Sequence, residues 1–486
     1  MEKVIFDKSV PDRKGYSLPG LDVPEVPVGE LIPGGMLRKE APRLPELSEV
    51  DVVRHFTNLS RDNYGVDQGF YPLGSCTMKY NPKVNEDVAR LPGFSSLHPA
   101  QPPEQVQGAL ELLYRLESEL REILGMDRVS LQPVAGAHGE MAGMLIIRAF
   151  HLANGNPRRK VLVPDSAHGT NPATARLAGY AVEVVRSGKD GLVDTEDLRR
   201  HLDTETAGLM LTNPNTLGLF EREILKISEM LHSVGALMYL DGANLNALLG
   251  LCRPGDMGFD VVHANLHKTF STPHGGGGPG AGALGVKSHL SGYVPAPVVE
   301  QNEKGFFLNE DLPQSIGRVH PFFGNFGNLV RAYAYIRRLG ASGLVEVSSN
   351  AIINANYVRK RLEDVYPVPY NQGCMHEFVA SAKKFRGQDV HAWDIAKRLL
   401  DFDIYSPTVN FPLVVDEALM IEPTETESRE NLDRFCEVML GIAREIETDP
   451  ETVRTAPHTR SVGRLDEVRA VKSLDLRWTP AARPDK

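Results

Sequence analysis

From Glu104 to Leu124 the apolar residues Val106, Leu110, Leu113, Leu116, Leu120 and Leu124 recur at helical spacing and stop at Gly125, so the pattern predicts a helix there. Beyond it the period changes. Val161-Leu162-Val163, Val182–Val185, Leu209–Leu211, Leu237–Leu240 and Val261-Val262 are short apolar runs of strand length. Helix-like stretches lie between several of them, as at Arg222–Val234 with Ile224, Leu225, Ile227, Met230 and Leu231. That alternation predicts an α/β fold, a mostly parallel central sheet with helices on both faces. From about Ala332 longer helical patterns take over, at Gly343–Glu363, His391–Asp401 and Ser428–Ile446, and predict a smaller C-terminal α+β domain.

The N-terminal stretch has a different texture. Six prolines stand between positions 19 and 45, a density that forbids helix and disfavours a central strand. An extended arm is expected, either a loose terminus or one laid over a partner or over its own globule. Val23, Val26, Leu31, Ile32 and Leu37 give it something to bury. The expected boundaries are 1–65 for the arm, 66–335 for the large domain and 336–486 for the small one.

Composition narrows the class. At ~150 residues per domain a chain of 486 residues suggests about three units. The 42% hydrophobic and 24% charged residues exclude a disordered or coiled-coil chain. A net charge of −10 without a basic block argues against a nucleic-acid or anionic-membrane binder. The N-terminus lacks the apolar core of a signal peptide, and no apolar run approaches the ~18 residues of a membrane span. Cys76, Cys252, Cys374 and Cys436 lie far apart with no CxxC, so neither a metal site nor a disulfide framework is expected. A soluble cytoplasmic protein is the expectation.

The stretch His263–Gly280 is the most unusual. Its glycines satisfy GxGxxG at Gly275, Gly277 and Gly280, but so rich a run does so almost automatically, and no GxxxxGK[ST] exists in the chain. The other reading centres on Lys268, placed after an apolar strand and before a donor-rich loop, where a lysine can form a Schiff base with an aldehyde cofactor. Alone it reads as a surface lysine. Upstream, however, Leu237–Leu240 runs into Asp241-Gly242-Ala243-Asn244, and an acid at the carboxyl end of a parallel strand faces the crevice where such sheets bind ligands. Together the acid and the lysine suit pyridoxal phosphate. Gln132–Glu140 places small residues at a helix start, an anion seat or simply a tight turn. His168 and Thr212–Thr216 follow two further strand ends. The convergence of polar loops at strand ends outweighs any single residue.

The strings Tyr71–Pro82, Gln132–Glu140, Asp165–Pro172, Leu211–Leu219, Asp241–Asn246 and His263–Gly282 resemble the pyridoxal-phosphate enzymes of fold type I. In detail they are similar to the P-protein family of the glycine cleavage system, glycine dehydrogenase (decarboxylating). Ser315–Arg318 and Ile421–Thr424 prolong the likeness, and Ala283-Leu284 is a small departure from it. The chain length resembles the two-subunit form, in its lysine-bearing subunit. The resemblance implies a transferase-like fold and pyridoxal 5'-phosphate on Lys268. Asp241 is implied at the pyridine nitrogen, with His168 and Ala243 on the ring faces. Ala137 and His138 are implied at the phosphate, with His267 and Thr269 adding to them, and Thr216 at the ring hydroxyl. The Tyr71–Pro82 loop, with Cys76 and Thr77, closes over the substrate on this reading, and Arg318 is the candidate for the glycine carboxylate. The implied reaction is glycine decarboxylation with transfer of the aminomethyl group to the lipoyl arm of the H-protein. A first subunit and a dimer of heterodimers are the implied assembly. An amino-acid decarboxylase or transaminase of the same fold is the rival, and Tyr71–Pro82 discriminates against it. A non-catalytic subunit is argued against by Lys268 and Asp241.

Overall fold

Strands β1 (Arg128–Ser130), β2 (Lys160–Pro164), β3 (Ala181–Val185), β4 (Thr206–Thr212), β5 (Leu237–Gly242), β6 (Val261–Asn265) and β7 (Gly282–Val286) form one sheet in the order β1-β7-β6-β5-β4-β2-β3. The computed structural model describes residues 2–274 and 280–479, so Gly275 and Gly277 of the glycine run lie outside the described residues. Strands β3, β2, β4, β5 and β6 run parallel, and β7 is antiparallel to both β6 and β1. The period of two is visible in the packing. Leu162, Leu209, Leu211, Met238, Leu240 and Val262 turn to one core with the helices Gln107–Leu124 and Ile224–Ser233. Val161, Val163, Met210, Tyr239 and Val261 turn to the other with Gly136–Ala153. Strands buried on both faces read as continuous apolar runs, which is why they were legible.

A hairpin of β8 (Val298–Asn302) and β9 (Gly305–Asn309) follows. A second, antiparallel sheet has the order β10 (Phe378–Ser381), β12 (Ala418–Ile421), β11 (Thr408–Val409). The helices Ala392–Leu400 and Arg429–Thr448 cover it through Ile395, Leu399, Phe435 and Met439.

The chain divides into two compact units. One is Val66–Ala456; the other joins the described part of Met1–Gly65 to that of Pro457–Lys486. Within the first, position 335 falls inside a helix. The helix Phe326–Leu362 runs across that position and bends only at Gly340, and its first part packs with the large sheet's core while Val358 and Leu362 pack with the small one's. The last residues also depart from expectation, grouping with the N-terminal segment, where Phe6 stacks on Trp478 at 4.8 Å. Nor is the arm wholly extended. Glu49–Asp62, free of proline, forms a helix capped by the Ser48–Asp51 box, while Val28–Leu31 and Gly34–Met36 are single turns cut short in the proline-rich stretch. Among the described residues no helix is long and apolar enough to cross a membrane.

One buried cation ties the first unit together. Lys79 Nζ donates to Asn246 Oδ1 at 2.9 Å, Thr269 O at 2.8 Å and Glu425 Oε1 at 2.6 Å, with Tyr335 Oη at 3.3 Å. Burial opposes its charge, but Glu425 and Tyr335 hold the ammonium above the ordinary lysine range. Lys79→Met removes the charge and leaves the Glu425 carboxylate, 8% exposed, facing the neutral donors Asn246 Nδ2 and Tyr335 Oη in place of a cation. A loss of about 3–5 kcal/mol is expected, read by urea-induced unfolding.

Candidate active site

The carboxyl ends of β2, β4, β5 and β6 open on one cavity of about 290 Å³. In register Thr212 pairs with Asp241, and Asp241 with His263, so three strands deliver polar side chains to one level. Lys268 follows in the single helical turn Leu266–Thr269 after β6, and Lys268 and Asp241 line the same cavity.

Asp241 is buried and fully engaged. Its Oδ1 accepts from Ala243 N at 3.0 Å and lies 3.3 Å from His263 Nε2, while Oδ2 accepts from Asn171 Nδ2 at 2.9 Å. Burial opposes its charge, but His263, Asn171 and Lys268 outweigh it and hold the carboxyl below the usual aspartate range. His263 is held in turn by Tyr239, whose Oη lies 2.7 Å from its Nδ1. The same Asn171 Nδ2 donates to Glu140 Oε2 at 3.0 Å, and Glu140 Oε1 accepts from Thr170 Oγ1 at 2.8 Å. Thr170 Oγ1 lies 2.8 Å from His168 Nδ1. One hydrogen-bonded chain therefore joins His168, at the exposed side of the cavity, to Asp241 at its floor.

The helix Gly136–Ala153 begins at the cavity, and no side chain caps its first turn. An ideal Cβ on Gly136 would stand 2.6 Å from Asn265 Oδ1, so only glycine lets the helix start approach β6 so closely. Among the described residues the buried Asn265 Oδ1 and Thr212 Oγ1 have no hydrogen-bond partner, and both residues line the cavity.

Cys76, Ala137, His168 and Thr216 line the cavity with Asp241, Ala243, His267 and Lys268. Several differ in detail from expectation. Thr216 Oγ1 donates to Ser166 O at 2.6 Å, which leaves the cavity an acceptor. Burial pushes the His267 imidazole down to about 4, so it is neutral, and it meets His274 edge-on at 5.0 Å. Lys268 Nζ donates to Ser75 O at 2.8 Å, and burial pushes the Cys76 thiol up to about 11. Four expected residues are not brought to the cavity lining. His138 turns back to accept from Val134 N at 3.2 Å. Thr269 is fully buried, its carbonyl taken by Lys79. Thr77 is buried against Glu422. Arg318 pairs with Glu310 at 2.8 Å and lies over the Phe323 ring.

Residues without an expected part also line the site. Glu140, Thr170 and His263 stood inside the quoted strings, whereas Thr408 and Phe411 come from the C-terminal part, where no motif marked them.

The chain matches the family model described as glycine cleavage system P-protein over residues 20–305, and the model of the glycine dehydrogenase C-terminal domain over 347–459. It is 58% identical over 478 residues to the probable glycine dehydrogenase (decarboxylating) subunit 2 of Bacillus licheniformis, covering 98% of this chain and 99% of that one. With the protein of the same name from Chloroherpeton thalassium it shares 57% over 483 residues, 99% of this chain and 98% of the other. A crystal structure of glycine decarboxylase (P-protein) of the glycine cleavage system, in inhibitor-bound form, superposes with a TM-score of 0.71 at 20% identity, over 85% of this chain and 94% of that one, and shares its fold, fold type I. Near-full-length identity and a family match that takes in β2 to β7 and Lys268 lead to one conclusion: the chain belongs to the glycine cleavage system P-protein family, and within it to the subunit 2 form.

Proposed function

We propose that this chain is the pyridoxal-phosphate-bearing subunit of a cytoplasmic glycine decarboxylase, which works with a first subunit and passes an aminomethyl group to the lipoyl arm of an H-protein. The observation that carries the reading is the pairing, in one cavity, of the Lys268 amine with a buried aspartate held below its usual range. The donor set fits the cofactor. An amine, a fixed carboxylate, an uncapped helix start and the unpartnered Asn265 Oδ1 and Thr212 Oγ1 meet in a cavity with the small side chains of Ala137 and Ala243. When bound, pyridoxal phosphate supplies the electron sink that takes up the pair released as carbon dioxide leaves glycine.

The chain's own residues divide the work. Lys268 would hold the cofactor aldehyde, and its free amine could carry a proton. Asp241 keeps a proton on the pyridine nitrogen, and Asn171 and His263 fix the direction of its carboxylate. His168 and Ala243 would cover the ring faces, and the N–H groups at Gly136–Ala137 would seat the phosphate. The turn at Gly74–Cys76 bounds the substrate side. Adding the cofactor to the purified chain is expected to give the visible band of lysine-bound pyridoxal phosphate, at roughly 420 nm. With a first subunit and lipoylated H-protein, glycine-dependent release of carbon dioxide is expected. No visible band at saturating cofactor would sink the proposal.

Association with the first subunit involves the arm on this reading. Leu18 and Leu31 are 82% and 69% exposed, so they pack on little within their own unit. A partner surface removes such side chains from water at ~25 cal/mol per Å². Leu18→Asp with Leu31→Asp is therefore expected to weaken association with the first subunit by about tenfold or more, ~1.4 kcal/mol. The visible band should be unchanged. Analytical ultracentrifugation of the mixed subunits gives the measurement, and equal association would discard the arm's part in assembly.

A further inference from the structure

Glu377 and Glu422 are fully buried, one just before β10 and the other just after β12. Phe378 pairs with Ile421 in antiparallel register, so the two glutamates stand at the next opposed position. Like charges there are unfavourable for a sheet. Burial raises both carboxyls, Glu422 to about 6 and Glu377 well above its ordinary range, where Glu422 adds to the effect. His376 Nε2 lies 3.8 and 3.9 Å from them without a hydrogen bond, its imidazole pushed down to about 3 by burial. A fold gains nothing from so costly a pair unless something else depends on it.

What depends on it is one turn. Glu377 accepts from Ser75 N at 2.6 Å and Ser75 Oγ at 3.0 Å, and from Asn244 Nδ2 at 3.2 Å. Glu422 accepts from Thr77 N at 2.9 Å and Thr77 Oγ1 at 2.6 Å. Ser75 and Thr77 both have left-handed backbone, with φ of 56° and 47°, which a β-branched threonine strongly resists. Gly74 is pressed against β12, where an ideal Cβ would collide with Met420 Cγ. Between the two clamped residues Cys76 faces the cavity, and the Ser75 carbonyl accepts from Lys268 Nζ.

We propose that Glu377 and Glu422 are positioning residues for the reaction: each grips one residue of the Ser75–Thr77 turn by its N–H and hydroxyl, and together they set where Cys76 and the Ser75 carbonyl stand against Lys268. The substrate side of this inference rests on the proposed function; the clamp itself does not. A carboxylate accepts through both oxygens, whereas an amide turns an N–H toward one of the donors. Above about pH 6 Glu422 is such a carboxylate, so Glu422→Gln weakens the grip while keeping side-chain volume. Thr77→Val removes the hydroxyl donor but keeps the N–H, loosening the grip from the other end with both glutamates in place, and Thr77→Ser keeps both donors.

The test is alkylation of the cofactor-free chain with iodoacetamide, followed at Cys76 by peptide mass spectrometry against Cys252. Glu422→Gln and Thr77→Val are expected to raise the relative rate at Cys76 by about tenfold, the thiolate gain of one pKa unit. Thr77→Ser should match wild type. If a glutamine variant fails to fold, Thr77→Val decides. Cys76 labelling within about twofold of wild type in folded Thr77→Val would overturn the clamp. A wild-type chain without a visible band would instead overturn the functional proposal, leaving the labelling result to stand alone.

Discussion

Lys268→Ala is expected to fold and to lose glycine decarboxylation by at least about a thousandfold, ~4 kcal/mol of transition-state stabilisation. The asymmetry between folding and rate follows from the contacts. Among the described residues Lys268 Nζ makes one hydrogen bond, to Ser75 O, and the side chain is only half-buried, so its removal should lower stability by about 1 kcal/mol. The chemical loss is of another order, because no side chain without an amine can take or return a carbonyl partner. Thermal unfolding reads the first effect and glycine-dependent carbon dioxide release the second. The visible band should disappear with the activity, since any cofactor still held would be free aldehyde. Turnover at the wild-type rate in the variant would remove Lys268 from the reaction altogether.

The large sheet and the residues at its strand ends were legible for one physical reason. A strand buried on both faces is an apolar run, and the first polar residues after it have nowhere to go but the crevice. Asp241, His168, Thr216 and Lys268 all follow such runs, and all line the cavity. His138, Thr269 and Thr77, which miss the cavity lining, sit one residue away from residues that line it. Ala137 and His138 are neighbours on a helix, where successive side chains diverge by ~100°, so His138 turns back to Val134. Thr269 leaves Lys268 in the same way and is buried in the core. Thr77 leaves Cys76 because a left-handed turn redirects it to Glu422. No periodicity announces such turns. β7 escaped notice because Gly282-Ala-Leu-Gly-Val286 is short and follows a glycine run, and Thr408 and Phe411 because residues brought in by tertiary packing carry no local signal.

Asp241→Asn is the second large effect, and it separates charge from shape. The pyridine nitrogen needs an anion to keep its proton, and an amide of equal size cannot supply one. Turnover is expected to fall by about a hundredfold or more, ~2.7 kcal/mol, with cofactor still bound through Lys268. The surroundings also resist an amide. Asn171 Nδ2 is shared between Glu140 and Asp241, and Ala243 N donates to the other aspartate oxygen. Whichever way an asparagine turned, its own N–H groups would face one of those donors. Asn171 could answer by flipping only if it gave up Glu140, whose other oxygen holds Thr170 beside His168. A change at the ring nitrogen should therefore be felt at the opposite side of the cavity, as a shift of the visible band as well as a lower rate. Asp241→Glu keeps the charge but lengthens the arm in a fully packed position, so it should recover less than a charge-only account predicts. If Asp241→Asn stayed within about threefold of wild type, under ~0.7 kcal/mol, the carboxylate would be a structural cap for Ala243 and Asn171 and no more.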